Sequence, residues 1–419
     1  MGFHTAFGWF VRRGRWLSEA ALAMLAMLVT VGGTGVSRAN DEPPERLEEQ
    51  GVVIDRGFAG GAFAAARALS DTEFEVTIRP ENVPINNSAW YAFRVTADPP
   101  RTIRVTLRYQ NGRHRYPPRI SRDGVCWTLL PDEAIEAERQ VAILQLDVDS
   151  EPLWVAAQEL LTGREINAWM AEIAAHAFAE KSQIGQSLEG RPIHQLRIGN
   201  PQAEEVLFII GRQHPPEVTG SLGLQHFVDT LAADTPRADE FRQQFQTLVI
   251  PLVNPDGVER GYWRHNVGGV DLNRDWEPFA QPETRVVRDQ LLAFAEPDGP
   301  RLHAFLDFHS THHDVFYIPT DDRDFFSAGL TDRWLEALQA RFPDYNVRSS
   351  PYNARPLAVR WVVRNLNTTA IIYEWGDRTP RTTIARIARG AAEELMRLLL
   401  EAVESAADVE QAAELPDAA

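Results

Sequence analysis

Val206-Leu207-Phe208-Ile209-Ile210 runs without a break into Gly211-Arg212-Gln213-His214-Pro215-Pro216-Glu217, and the reading of this stretch decides the fold. Five consecutive apolar residues bounded by turn formers read as a strand buried on both faces. The two prolines suit a helix start, where a missing amide costs nothing, and Val218–Leu231 carries helical spacing. The same unit recurs further along. Leu248–Val253, His303–Phe308 and Ala370–Tyr373 are continuous apolar runs, while Ile166–Phe178, Arg285–Phe294, Phe325–Phe342 and Thr383–Val403 have helical periodicity. Alternation of this kind predicts an α/β region over residues 154–405: a mainly parallel, mixed sheet flanked by helices. Ligand sites in such sheets lie at the carboxyl ends of the strands.

Upstream, over residues 45–150, the period shortens. Phe74–Arg79, Ala89–Val95 and Thr102–Tyr109 alternate and are separated by turns containing Asn, Pro and Gly, which predicts a small all-β sandwich of antiparallel strands. Trp90, Tyr91, Phe93 and Trp127 are expected in its core, and no chemistry is visible there. Residues 406–419 lack aromatics and are rich in Ala, Asp and Glu, the composition of a disordered tail. At the other end, Arg12, Arg13 and Arg15 precede an apolar run from Ala20 to Val31, and Ser37-Arg38-Ala39 follows. A positive head, a short apolar stretch and small-x-small residues describe a signal peptide over residues 1–39, too short to span a membrane. The expected location is therefore the periplasm or the extracellular space.

Composition narrows the partners. The 419 residues are 44% apolar and 24% charged, which excludes wholesale disorder and a multi-span membrane protein. A net charge of −17 is unsuited to gripping nucleic acid phosphates. Lys181 is the only lysine and lies in a polar stretch. The single cysteine, Cys126, allows neither an internal disulfide nor a cysteine-based zinc cluster. Histidines and carboxylates remain as possible metal ligands.

Four strand ends gather such residues. His214 and Glu217, three apart, can share a metal from one side of a first helical turn, although eleven histidines generate such pairs by chance. Leu248–Val253 leads through Asn254-Pro255-Asp256-Gly257 to Trp263-Arg264-His265-Asn266 and Asp271-Leu272-Asn273-Arg274-Asp275-Trp276. The arginines and asparagine there could bind a carboxylate and an oxyanion, or form loop salt bridges. His309 leaves the third strand and Glu374 ends the fourth. A carboxylate at the end of an apolar strand must be paired, protonated or functional. Two histidines and a carboxylate make a three-ligand zinc site with an open position, beside which a further carboxylate can act as a base.

Taken together, from about Ala156 to Val403, these motifs resemble the zinc metallocarboxypeptidase family related to carboxypeptidase A. Gly185-Gln186-Ser187-Leu188-Glu189-Gly190-Arg191-Pro192 and the order His-x-x-Glu, Asn-Pro-Asp-Gly, Asn-Arg, His-Ser, Glu carry the resemblance. It implies His214, Glu217 and His309 as ligands of one Zn2+ per chain. Arg264 would polarise the scissile carbonyl, Asn273 and Arg274 would hold the substrate's terminal carboxylate, and Tyr352 would close over it. Glu374 would be the general base, and Asp271 would orient the first histidine. Val359 falls near the family's specificity position, with Arg355, Arg360 and Arg364 close by in sequence. Pro215-Pro216 departs from the polar residues of digestive members. The upstream β-region is similar to the layout of the cytosolic-type carboxypeptidases, many of which remove glutamates, and of their bacterial relatives.

The expected function is thus a secreted zinc carboxypeptidase that hydrolyses the C-terminal bond of peptides or proteins with zinc-activated water. The alternatives are a zinc amidohydrolase of the same fold acting on cell-wall peptides or N-acyl amino acids, and a binding module that has lost activity. A second metal at His312 and His313 and a serine hydrolase at Gly220-Ser221-Leu222-Gly223, which lacks Gly-x-Ser-x-Gly, are both disfavoured.

Overall fold

In the computed structural model, which describes residues 45–296, 299–320, 327–352 and 355–414, Glu205–Gly211 forms the expected strand and sits near the middle of an eight-stranded mixed sheet. Across the sheet the order is Ala179–Gln186, Pro192–Gly199, Phe245–Ile250, Glu205–Gly211, Arg301–Thr311, Thr369–Gly376, Val315–Ile318 and Ser349–Pro351. The four central strands are parallel, and the antiparallel pairs lie outside them. The apolar run of the opening stretch has a direct cause. Val206, Phe208 and Ile210 face one apolar cluster, Leu207 and Ile209 the other, so neither side of the strand meets water. One cluster is closed by the helices Val218–Leu231, Leu330–Arg341 and Arg381–Glu414, the other by Pro282–Leu291 and Ala358–Leu366.

From Glu205–Gly211 the chain steps to Phe245–Ile250 on one side and then returns to Arg301–Thr311 on the other. This reversal leaves a crevice at the carboxyl ends of Glu205–Gly211 and Arg301–Thr311, the usual ligand position in sheets of this kind. His214 and His309 are carried there.

Several boundaries differ from the expectation. The second strand ends at Ile250 instead of Val253, because Pro251 has no amide for the ladder. The first helix ends at Ala174, and Ala179–Gln186 is an edge strand that polar composition had concealed. The last helix continues to Glu414, so residues 406–414, expected as tail, extend it. Residues 1–39, expected as a signal peptide, lie outside the described residues. No helix among those described is long and apolar enough to cross a membrane.

The upstream region consists of a six-stranded and a five-stranded sheet. Their alternating inward residues, such as Val52, Ile54, Phe93 and Val95 of the first and Ile103, Val105, Leu107 and Leu144 of the second, share one core. Trp90, Tyr91 and Phe93 are buried in it and Trp127 packs at its edge. Two details correct the expectation. Glu73–Ile78 pairs parallel with Arg101–Tyr109, so the sheets are not wholly antiparallel. Leu153–Ala156, expected at the start of the next region, is a strand of the six-stranded sheet, since Leu153 and Val155 continue the alternation inward. All described residues belong to one compact unit.

Candidate active site

Arg212 turns the chain out of the central strand with a left-handed φ of 56°. Its buried guanidinium donates from Nε to the Pro215 carbonyl at 2.8 Å and from Nη1 to Ser221 Oγ at 3.0 Å, which holds the loop. The helix begins only at Val218, with Glu217 in the flanking position. His214 and Glu217 therefore share a tight loop before the helix, not its first turn as expected. Both prolines fall in that loop.

His214 Nδ1 lies 2.9 Å from Glu217 Oε1, and His309 Nδ1 lies 2.7 Å from Glu217 Oε2. All three residues are buried, and one ligand atom from each falls within 4.8 Å of the others, the sole such group among the described residues. His312 and His313 are not part of it. The outer nitrogens are also held: His214 Nε2 is 2.9 Å from Asp271 Oδ1, and His309 Nε2 is 2.9 Å from Asp307 Oδ2. Imidazoles that bind a metal through one nitrogen characteristically give the other to a carboxylate, so the donor set fits zinc. Burial opposes charge on Glu217, yet the two histidines keep its pKa well below the ordinary range. Burial likewise opposes charge on His309, but Asp307 and Glu217 push its pKa well above that of a free histidine. A divalent cation would satisfy the same electrostatic demand.

Asp271 is a hub. It flanks the short 3-10 turn Leu272–Arg274 and accepts the Asn273 amide at 3.0 Å, while its second oxygen accepts Arg264 Nε at 2.7 Å. Against burial, His214, Arg264 and Arg274 hold its carboxyl far below the usual range. Asn254 ties the loops together, donating to the carbonyls of Gln213 and His265.

Glu374 is the in-register neighbour of His309 on the adjacent strand. Its Oε2 is buried without a hydrogen-bond partner among the described residues. Burial, reinforced by Glu217 and Asp307 and opposed by His309 and Arg264, pushes this carboxyl up to about 8. Arg274 donates to the Asn273 carbonyl at 2.6 Å. The loop salt bridges considered for it are not made: Asp275 accepts from Ala280, Gln281 and Thr284, and Glu277 pairs with Arg364. Asn273 is more committed than expected, since its Oδ1 accepts the Ala358 amide at 3.0 Å. Tyr352 has a buried hydroxyl without a hydrogen-bond partner among the described residues, and burial raises its pKa.

His214, Glu217, Arg264, Asn273, Arg274, His309, Tyr352 and Glu374 all line one cavity of about 450 Å³. Val359 does not. It is fully buried in the apolar cluster beneath, because the helix Ala358–Leu366 turns that position toward the sheet; Leu357 and Ile372 line the cavity instead. The sequence also conceals two contributions. Asp307 lies two residues before His309 and so shares its face of the strand; a carboxylate inside a buried run was the available signal. The β-region supplies Asn87, Ser88, Arg113 and Arg115 to the cavity wall, and only their polar clustering between strands hinted at it.

The zinc carboxypeptidase pattern matches residues 166–378, 213 of the 419 residues and thus just over half of the chain. The chain is 32% identical over 291 residues to cytosolic carboxypeptidase 6 of Mus musculus, covering 62% of this chain and 53% of that protein. It is 28% identical over 359 residues to cytosolic carboxypeptidase 2 of Danio rerio, covering 74% and 48%. It thus spans about half the length of these relatives. Among solved structures, a metallo-carboxypeptidase from Burkholderia cenocepacia superposes with a TM-score of 0.68 at 20% identity, covering 84% of this chain and 99% of that one. One from Pseudomonas aeruginosa gives 0.69 at 21%, covering 83% and 99%; these two establish likeness of fold, upstream β-region included. With the His-Glu-His group at the crevice and the pattern spanning every strand that feeds it, the chain belongs to the zinc carboxypeptidase family.

Proposed function

We propose that this protein is a zinc-dependent carboxypeptidase that removes single residues from the carboxyl termini of peptides. The observation that carries this reading is the pairing, within one cavity, of a buried Glu374 carboxylate oxygen with no hydrogen-bond partner among the described residues and of Arg274, which forms no salt bridge among them and meets Asp271 only at longer range. His214, Glu217 and His309 would hold the zinc, which when bound polarises carbonyls and lowers the pKa of water.

The remaining work falls to the chain's own residues. The Arg274 guanidinium would hold the terminal carboxylate through two parallel hydrogen bonds, with Asn273 and Tyr352 beside it. Glu374, ionised once a bound cation's charge offsets its burial, would take a proton from the attacking water and return it to the departing amine, so that the carboxyl begins and ends the cycle ionised. Arg264, steadied by Asp271, would donate to the carbonyl oxygen as negative charge develops there. Residues 45–150, with Leu153–Ala156 added, would form the β-domain, and the following residues the catalytic domain.

The test compares a peptide acid with its C-terminal amide. The amide offers no anion, and the resulting unpaired arginine costs about 3–5 kcal/mol, so kcat/KM should fall by about two to four orders of magnitude. Chelation should abolish both rates, and zinc should restore them. Equal cleavage of acid and amide would overturn the reading.

We also propose that residues 1–39 direct export, on the strength of the Arg12, Arg13 and Arg15 head and the Ala20–Val31 run. The named relatives are called cytosolic. Fractionation with N-terminal sequencing decides: an exported protein beginning near Asn40 is expected, and an intact chain retained in the cytosol would refute export.

A further inference from the structure

Between Gly261 and Val270 the chain forms no helix or strand, so its backbone amides must find partners outside a ladder. Three consecutive ones find the same partner. Trp263 N–H donates to Glu81 Oε2 at 2.8 Å, and the amides of Arg264 and His265 donate to Glu81 Oε1 at 3.0 and 2.7 Å. Glu81 lies 182 residues upstream in the β-region, just past the strand Glu73–Ile78, and its side chain is only 4% exposed. Three converging amides form a concave anion seat, and a carboxylate is acceptor-only, so both oxygens are used. The neighbouring contacts come from the same region. Asn82 pairs with His265 Nδ1 and donates to the Gly269 carbonyl at 3.1 Å. Gly112 leaves room for the buried Trp263 ring; a methyl group there would stand 2.5 Å from it.

The central residue of this seat is Arg264. Its side chain continues the chain of contacts, from Nε to Asp271 at 2.7 Å and from Asp271 to His214 at 2.9 Å. We infer that Glu81 is a positioning residue for catalysis: the β-region carboxylate fixes the backbone from which Arg264 reaches the cavity, so the upstream region is a working part of the active site. The inference rests on the role given to Arg264 under Proposed function.

A misplacement of about 1 Å costs up to roughly 100-fold in rate. Glu81→Gln keeps the shape but loses the charge, and turns an NH2 group against at least one of the three amides. Its kcat is expected to fall about 10- to 100-fold, with KM changed less than about 3-fold, because Arg264 serves charge that develops after binding. Zinc content should be unchanged. The deciding measurement is a double-mutant cycle with Arg264→Ala. If Glu81 acts through Arg264, Glu81→Gln adds no further loss of kcat in the Arg264→Ala background. Should Glu81→Gln fail to yield folded protein, Glu81→Asp, shorter by one methylene, goes through the same cycle under the same criteria. A normal kcat for the Glu81 variant, or losses that multiply, would overturn the positioning role while leaving that of Arg264 intact. An Arg264→Ala enzyme with normal kcat would instead overturn the reading of Arg264, and the positioning role with it.

Discussion

Glu374 and Asp307 are both buried carboxylates at the crevice, and their partners separate their tasks. Each has one oxygen without a hydrogen-bond partner among the described residues, Asp307 Oδ1 and Glu374 Oε2, but Asp307 Oδ2 is shared between His309 and Gln213, whereas the pKa of Glu374 is pushed up to about 8 by burial. A carboxyl buried without a hydrogen bond costs several kcal/mol when ionised, which raises its pKa and adds nothing to the stability of the fold. Glu374→Gln preserves shape but cannot accept a proton, so kcat should fall on the order of 10²–10⁴-fold while bound zinc stays stoichiometric; rapid-quench kinetics with elemental analysis measures both. Asp307→Ala should behave in the opposite sense. Removing the acceptor behind His309 is expected to weaken zinc affinity about 10- to 100-fold, read by competition with a chromogenic chelator, with activity restored at high zinc. Asp307 was not legible as functional, because a single carboxylate within Leu306-Asp307-Phe308 shows no partner until the strand is paired.

At the scale of elements, the helix Val218–Leu231 reaches the sheet through glycines. A methyl group at Gly220 would stand 2.5 Å from the His309 carbonyl oxygen, and one at Gly223 2.0 Å from Trp375 Nε1. Alanine normally favours a helix by about 1 kcal/mol over glycine, but a backbone carbonyl cannot give way. Gly220→Ala should therefore destabilise by about 1–3 kcal/mol and weaken zinc binding through the His309 strand. Gly163→Ala, whose nearest neighbour would be 3.7 Å away, should be neutral or slightly stabilising, and thermal melts distinguish the two. At the opposite end of the same strands, Glu205 is paired with Arg301 and His303. Burial opposes its charge, yet His303 and Arg301 lower its carboxyl to about 2. A depressed acid stabilises the fold above its unfolded pKa and loses that contribution as pH falls through the folded one. Denaturation at a series of pH values should show this loss between about pH 5 and pH 2, and Glu205→Gln should flatten that part of the curve.

For the whole molecule, the central question is why an all-β region should be joined to the mixed sheet. Glu81 holds the Arg264 loop, and Arg115 donates from Nε to Asp377 at 2.8 Å, three residues beyond Glu374. Arg115 and Asp377 are nearly buried, with side chains 10% and 5% exposed. Breaking one side of such a pair leaves an uncompensated charge and costs about 3–5 kcal/mol. Arg115→Met should lower the melting temperature accordingly, and Arg115→Met/Asp377→Leu should recover much of the loss. A single variant as stable as the wild type would show that the two regions do not depend on this contact.

The sequence by itself determined the four central strands of the mixed sheet, the helices between them and the residues at their ends, because periodicity of burial is written in near neighbours; the four outer strands, short or polar, it did not show. Val206–Ile210, His303–Phe308 and Ala370–Tyr373 all lie within observed strands, and His214, Glu217, His309 and Glu374 follow from what those strands deliver. The resemblance to a known family supplied the roles for Arg264 and Arg274, which spacing alone left open between substrate binding and loop salt bridges. Only the tertiary structure decided what depends on the order of strands and the rotation of helices. It turned Val359 into the core and Leu357 toward the cavity, moved Leu153–Ala156 into the sandwich, and brought Glu81, Arg115 and Asp307 to the site. Glu81 and Arg115 act across 182 and 262 residues, and local pattern cannot carry that, because such contacts exist only after the two regions pack.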